Sequence, residues 1–259
     1  MATNDESPTT SEWRGLFFTG TDTGVGKTLV AAAVTRRLRQ QGCSVCVRKP
    51  VATGARCVNG RWISEDTLRL AEAAGPENEL EHITPWAFPE PVAPPVAARF
   101  QGITLTIDEL ATAVWREARP SGILLVEGVG GLLCPLTETE TVADLAGALG
   151  FPLVVVARRS LGTLNHTLLT LEAARVRGLP VAGLVINEAT PPHTLAEETN
   201  VDELRQRIAV PLLAVIPHQA SGVVDPDTVA AVDWRQLARR EKPENAWKRS
   251  SSSAAIAAT

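Results

Sequence analysis

The stretch Gly20-Thr21-Asp22-Thr23-Gly24-Val25-Gly26-Lys27-Thr28 follows a short apolar run at residues 15–19 and leads into a helical pattern at residues 28–41. A strand, a glycine-rich loop and Lys-Thr at a helix start form the setting of a phosphate-binding loop. Glycines let backbone N–H groups converge on phosphate oxygens, and the helix N-terminus adds its dipole. Lys27 supplies a charge for the β- and γ-phosphates, and Thr28 a hydroxyl for Mg²⁺. The spacing departs from the common G-x-x-x-x-G-K-[ST]: position 21 holds Thr, and Gly20 comes one residue early. The competing reading is a chance glycine-rich turn. The buried strand before the loop, and Gly-Lys-Thr opening a helix after it, favour nucleotide binding.

Outward from the loop, strands and helices alternate. Residues 44–50, 122–126, 153–157, 181–186 and 212–216 read as strands, and residues 141–149, 164–177 and 201–208 as helices. Gly42 is placed to stop the first helix. Ser64 can cap a helix running to Gly75, and Thr106 with Glu109 makes a capping box for a helix through Trp115. Strands apolar throughout are buried on both faces, as in a parallel sheet covered by helices. The pattern therefore predicts one doubly wound α/β domain with a mostly parallel sheet over residues 13–240. Of the 259 residues 44% are hydrophobic, enough for a core of that size. Residues 1–12 read as a disordered leader and residues 241–259 as a disordered tail.

The net charge of −4 offers no basic excess for nucleic acid. No apolar run is long enough to span a bilayer, and residues 1–12 lack the basic flank and apolar run of a secretory signal. No membrane partner is expected, and the expected compartment is the cytoplasm. Cys43 and Cys46 form a C-x-x-C, which suits a redox pair or half a zinc site. On a strand, residues three apart point to opposite faces, and Cys57 and Cys134 supply no second pair. The cysteines are expected to act as small buried hydrophobes.

In doubly wound sheets the ligand site lies beyond the carboxyl ends of the strands, which tests each candidate. Lys49, in Lys49-Pro50-Val51-Ala52-Thr53-Gly54, ends the second strand. It reads as an electrostatic catalyst of phosphoryl transfer or as a surface lysine. Glu127 follows a buried strand and precedes Gly128-Val129-Gly130-Gly131, which suits a Mg²⁺ ligand; a turn carboxylate is the alternative. Asp66 by itself only suits a helix dipole. Asn187 can read a purine edge or serve a turn. His166 has no paired Ser or Cys, so a structural role is expected.

Taken together, these segments resemble dethiobiotin synthetases over about residues 16–219. The resemblance rests on the phosphate loop with its early glycine, the Lys49 motif, Val126-Glu127-Gly128-Val129-Gly130-Gly131, Leu161-Gly162-Thr163-Leu164-Asn165-His166, and Asn187 with Thr190-Pro191-Pro192. It implies that Gly24, Val25, Gly26, Lys27, Thr28 and Leu29 wrap ATP phosphates beside Gly128, Val129 and Gly130. Thr28, Asp66 and Glu127 would organise Mg²⁺. Asn187, Glu188, Pro217, His218 and Gln219 would hold adenine. Lys49 and Lys27 would be catalytic, with Thr23, Lys49 and Thr53 meeting the diamine or its carbamate. Gly162, Thr163 and Asn165, at a helix N-terminus on a homodimer interface, would take the substrate carboxylate. The implied substrates are 7,8-diaminononanoate, CO₂ and ATP, and the implied reaction is a Mg²⁺-dependent ring closure in biotin biosynthesis through a carbamate and a carbamic–phosphoric anhydride.

The chain departs from the family pattern in places. Thr53 stands where some members have Ser, Gly24 replaces an acidic residue found in some members, Val129 replaces a common Ala, and Arg158-Arg159-Ser160 is unusually basic. Two other classes compete. A related ATP-dependent amidoligase usually carries a glutaminase domain, for which the chain has no room. A partner-binding switch ATPase has a second lysine early in the loop, where this sequence has Asp22, and an amphipathic C-terminal helix that is not evident here.

Overall fold

The computed structural model describes residues 14–118, 122–191 and 194–239. The expected leader and tail, and Pro192 of the Thr190-Pro191-Pro192 motif, lie outside the described residues.

The chain runs β1 (Arg14–Gly20), α1 (Lys27–Gln40), β2 (Val45–Arg48), β3 (Val51–Thr53), β4 (Arg56–Val58), β5 (Arg61–Ile63), α2 (Glu65–Ala74), α3 (Leu80–Ile83), β6 (Trp86–Phe88), α4 (Pro94–Phe100), α5 (Ile107–Trp115), β7 (Ile123–Glu127), α6 (Val142–Leu149), β8 (Leu153–Arg158), α7 (Thr163–Val176), β9 (Val181–Asn187), α8 (Leu195–Arg207), β10 (Leu212–Ile216), a 3-10 turn (Pro226–Val229) and α9 (Trp234–Leu237). Six strands form a parallel sheet in the order β10-β9-β8-β1-β7-β2.

The two-sided burial expected from the apolar runs holds residue by residue. Leu16 and Phe18 of β1 enter one core and Phe17 the other; Val154 and Val156 of β8 divide the same way from Leu153, Val155 and Ala157. One core is closed by α1, α2 and the C-terminal turns, the other by α4 to α8. The architecture is therefore a doubly wound α/β domain of the P-loop NTPase type. Among the described residues, no helix is long and apolar enough to cross a membrane.

Local signals set the boundaries. Ser64 Oγ accepts from the Thr67 N–H at the start of α2. Thr106 caps α5, although the Glu109 carboxylate takes the Thr106 hydroxyl. Three expectations need correction. The strand expected at residues 44–50 is shorter, Val45–Arg48, and the separate strand β3 that follows pairs with β6 outside the main sheet. The helix expected from residue 201 starts at Leu195, because Thr194 and Glu197 form a capping box ahead of the apolar residues. Cys57 is exposed and Cys43, Cys46 and Cys134 are only half-buried, so the cysteines are not core hydrophobes, although all four are free thiols.

Candidate active site

Three sheet strands and the first turn of α2 deliver the site. β1 ends in the phosphate loop, and Gly26 closes that loop at φ 96°, in the left-handed region, so that α1 can begin with Lys27. A side chain at Gly26 would put its Cβ 2.2 Å from Nδ2 of Asn187. The early Gly20 has a steric reason too: its Cβ would lie 2.8 Å from a Val25 methyl and 2.9 Å from the Asp22 carbonyl oxygen. Thr21, by contrast, has no positive φ and needs no glycine.

Lys49 follows β2 and Glu127 ends β7, neighbouring strands of one parallel sheet, so their side chains meet at its carboxyl edge. Lys49 Nζ lies 2.6 Å from Glu127 Oε1 and 2.8 Å from Asp66 Oδ2. Thr28 donates its hydroxyl to Glu127 Oε1 at 2.8 Å. Lys49 is only 4% exposed, which sets aside the surface-lysine reading. Burial works against its charge, but Glu127 and Asp66 outweigh burial and hold its ammonium protonated well above the ordinary lysine value. Burial likewise opposes ionisation of Asp66, yet Lys49, the Thr28 hydroxyl and Lys27 keep its carboxyl below the usual range. Lys27 goes the other way. Burial, reinforced by the neighbouring Lys49 charge, lowers its value despite Glu127. Its Nζ donates to the Asp22 carbonyl at 3.1 Å.

These groups line one cavity of about 370 Å³. Thr23, Gly24, Gly26, Lys27, Thr28, Leu29, Lys49, Thr53, Asp66, Glu127, Val129 and Gly130 all face it. Val25 and Gly128 are buried and do not line it. Ala52, Glu65 and Arg69 also face it and were not singled out from sequence. For Glu65 and Arg69 the available signal was their i,i+4 spacing on one helix, which makes them neighbours on its surface.

The expected adenine group lies apart from this lining. Asn187 is buried and donates Nδ2 to the Val25 carbonyl at 3.1 Å, so part of its amide braces the phosphate loop. Glu188 is ion-paired with Arg159, whose guanidinium also holds the Glu197 and Glu198 carbonyls; Arg159 thus ties β8 to β9 and α8. Pro217 and His218 are exposed after β10. Gly162, Thr163 and Asn165 open α7 away from the Lys49 cavity, with Gly162 at φ 91° and the Thr163 hydroxyl buried without a partner.

A metal would find hard oxygen donors in Thr28, Asp66 and Glu127, and Glu127 Oε2 is buried with no hydrogen-bond partner. Among the described residues no group of three or more His, Cys, Asp or Glu gathers to hold a metal. A thin shell of two carboxylates and a hydroxyl suits Mg²⁺, which keeps water and phosphate oxygens as ligands.

A family model described as an AAA domain matches residues 14–223. The chain is 40% identical over 221 residues to an ATP-dependent dethiobiotin synthetase BioD of Aromatoleum aromaticum, covering 85% of this chain and 97% of that one. It is 46% identical over 204 residues to a protein of the same name from Anaeromyxobacter dehalogenans, covering 79% and 90%. The chain belongs to the ATP-dependent dethiobiotin synthetase family. It is accordingly an enzyme of the ATP-dependent ligase class. Among solved structures, a ParA family ATPase from Chlorobium tepidum superposes with a TM-score of 0.50 at 15% identity, covering 87% of this chain and 96% of that one. That likeness speaks to the fold alone.

Proposed function

We propose that this enzyme forms the ureido ring of dethiobiotin from 7,8-diaminononanoate, CO₂ and ATP. The observation that carries the reading is the cluster of buried Lys49 and Glu127 with half-buried Asp66 beside the phosphate loop, with Lys27 in the same cavity. One amine and CO₂ give a carbamate and a proton. A carbamate oxygen attacks the γ-phosphorus of ATP, and ADP leaves. The second amine then attacks the carbonyl carbon of the mixed anhydride, phosphate leaves, and the ring closes with loss of a proton.

The side chains present suit these steps. Carbamate and triphosphate are both anionic, so bringing them together costs Coulomb energy. Lys49, locked in its charged form, and Lys27 offset that repulsion and stabilise the transferring phosphoryl group. Gly24 to Leu29 receive the phosphates, with Gly128, Val129 and Gly130 across the cavity. Thr53 contacts the diamine and Thr23 with Lys27 flanks the carbamate, because ring closure requires both nitrogens on one side. Asn187, Glu188, Pro217, His218 and Gln219 face the base. Thr28, Asp66 and Glu127 would hold Mg²⁺, which when bound neutralises phosphate charge. Gly162, Thr163 and Asn165 would hold the substrate carboxylate across a homodimer interface. The setting assigned to the reaction is biotin biosynthesis in the cytoplasm.

The test is to mix the full chain with ATP, Mg²⁺, bicarbonate and the diamine. ADP release that depends on the diamine, with a cyclic urea as product, is expected. ATP hydrolysis indifferent to the diamine but stimulated by lipid or nucleic acid would instead favour a switch ATPase.

A further inference from the structure

Arg69 stands where two cavities meet. It lines the Lys49 cavity and also a second one of about 280 Å³, walled by Leu29 and Leu68 and by residues 221–224 beyond β10. Its guanidinium is held from both sides. Nη2 and Nε lie 2.6 and 3.2 Å from Glu65 Oε1, and Nη1 donates to the Gly222 carbonyl at 2.8 Å. The planar fork of arginine suits such a bridge, since its donors diverge in fixed directions.

The two ends of the bridge differ in their hydrogen bonding. Glu65 belongs to a turn fixed by the Ser64 cap, by the Ser64–Thr67–Thr84 hydroxyl chain and by the ion pair of Asp66 with Lys49. Around Gly222 the hydrogen bonds stay local: the Gly222 N–H donates to the Gln219 carbonyl at 2.9 Å, Gln219 Nε2 to the Pro217 carbonyl at 3.3 Å, and Ser221 pairs with Val223. Val224 anchors the far end of this loop in the core, and Arg69 adds the polar link from Gly222 to the helix that carries Asp66.

We propose that Arg69 is a positioning residue for the nucleotide, a latch that holds the loop at residues 217–222 against α2 and so keeps the base side of the cleft closed over ATP. The inference rests on the reading that Pro217, His218 and Gln219 face adenine. A latch of this kind acts on nucleotide retention and leaves the phosphoryl-transfer groups untouched. Removing it raises the KM for ATP and leaves kcat and the diamine KM in place.

The experiment measures Mg-ATP binding to the full chain by calorimetry, without diamine, for the wild type, Arg69→Ala, Arg69→Lys and the control Glu72→Gln on the same helix. The expected result is about tenfold weaker binding for Arg69→Ala, a smaller loss for Arg69→Lys, which keeps charge but loses the fork, and wild-type affinity for the control. In turnover, KM for ATP rises about tenfold with kcat within twofold. Binding within twofold of wild type in Arg69→Ala, or a fall in kcat at unchanged KM, overturns the latch. If Arg69→Ala does not fold, Arg69→Lys decides by the same two readouts. Because binding is read without diamine, a wild type that binds ATP yet makes no cyclic urea counts against the proposed reaction and not against the latch.

Discussion

Lys49 shows how much a residue's meaning depends on its partners. In the sequence it is a lysine at a strand end, equally suited to solvent; in the fold it is buried between two carboxylates. On the proposed mechanism, Lys49→Ala removes the charge that offsets the carbamate–triphosphate repulsion, and turnover should fall by on the order of a hundredfold or more. Steady-state ADP release measures this, and near-normal turnover would remove Lys49 from catalysis. Glu127 was legible because glycines follow it after a buried strand. Arg69 was not, because its role depends on a carbonyl at Gly222, far along the chain. Asn187 was legible as a strand-end amide, but its bond to the Val25 carbonyl depends on β9 standing two strands from β1.

At the scale of elements, Gly26 joins strand to helix. Gly26→Ala places a methyl against Asn187 in a left-handed backbone position, so ATP binding should be lost while far-UV circular dichroism keeps the sheet and helix signal. Retained ATP affinity by calorimetry would contradict the loop geometry. Thr194→Ala should lower stability by ~1 kcal/mol through loss of the α8 cap, read in urea unfolding. That helix start was not legible because none of Leu195, Ala196, Glu197 and Glu198 in its first turn is buried, and its buried residues, Asn200, Val201 and Leu204, begin only later. The β4–β5 hairpin escaped for another reason. Its Asn59-Gly60 turn has both residues at positive φ, but its strands are exposed and show no apolar alternation. The central strands were legible because both their faces are buried, which writes an unbroken apolar run into the sequence.

For the whole molecule, the site couples to stability through charge. Asp66 is held ionised in the folded chain below its ordinary value of 3.8. Its contribution is therefore complete above that pH and is lost as pH falls through the lower, folded value. Asp66→Asn should flatten that acid limb in urea unfolding followed against pH, whereas an unchanged limb would place the acid sensitivity elsewhere. The sheet order brings Lys27, Lys49 and Glu127 to one carboxyl edge, although they are far apart in sequence.

In the proposed reaction a carbamate oxygen attacks the γ-phosphorus of ATP, and isotope transfer follows that oxygen. With ¹⁸O-labelled bicarbonate, each turnover should leave one labelled oxygen in the released phosphate and one in the ring carbonyl. Unlabelled phosphate accompanying ring closure would contradict it, because water or another acceptor would then have taken the phosphoryl group.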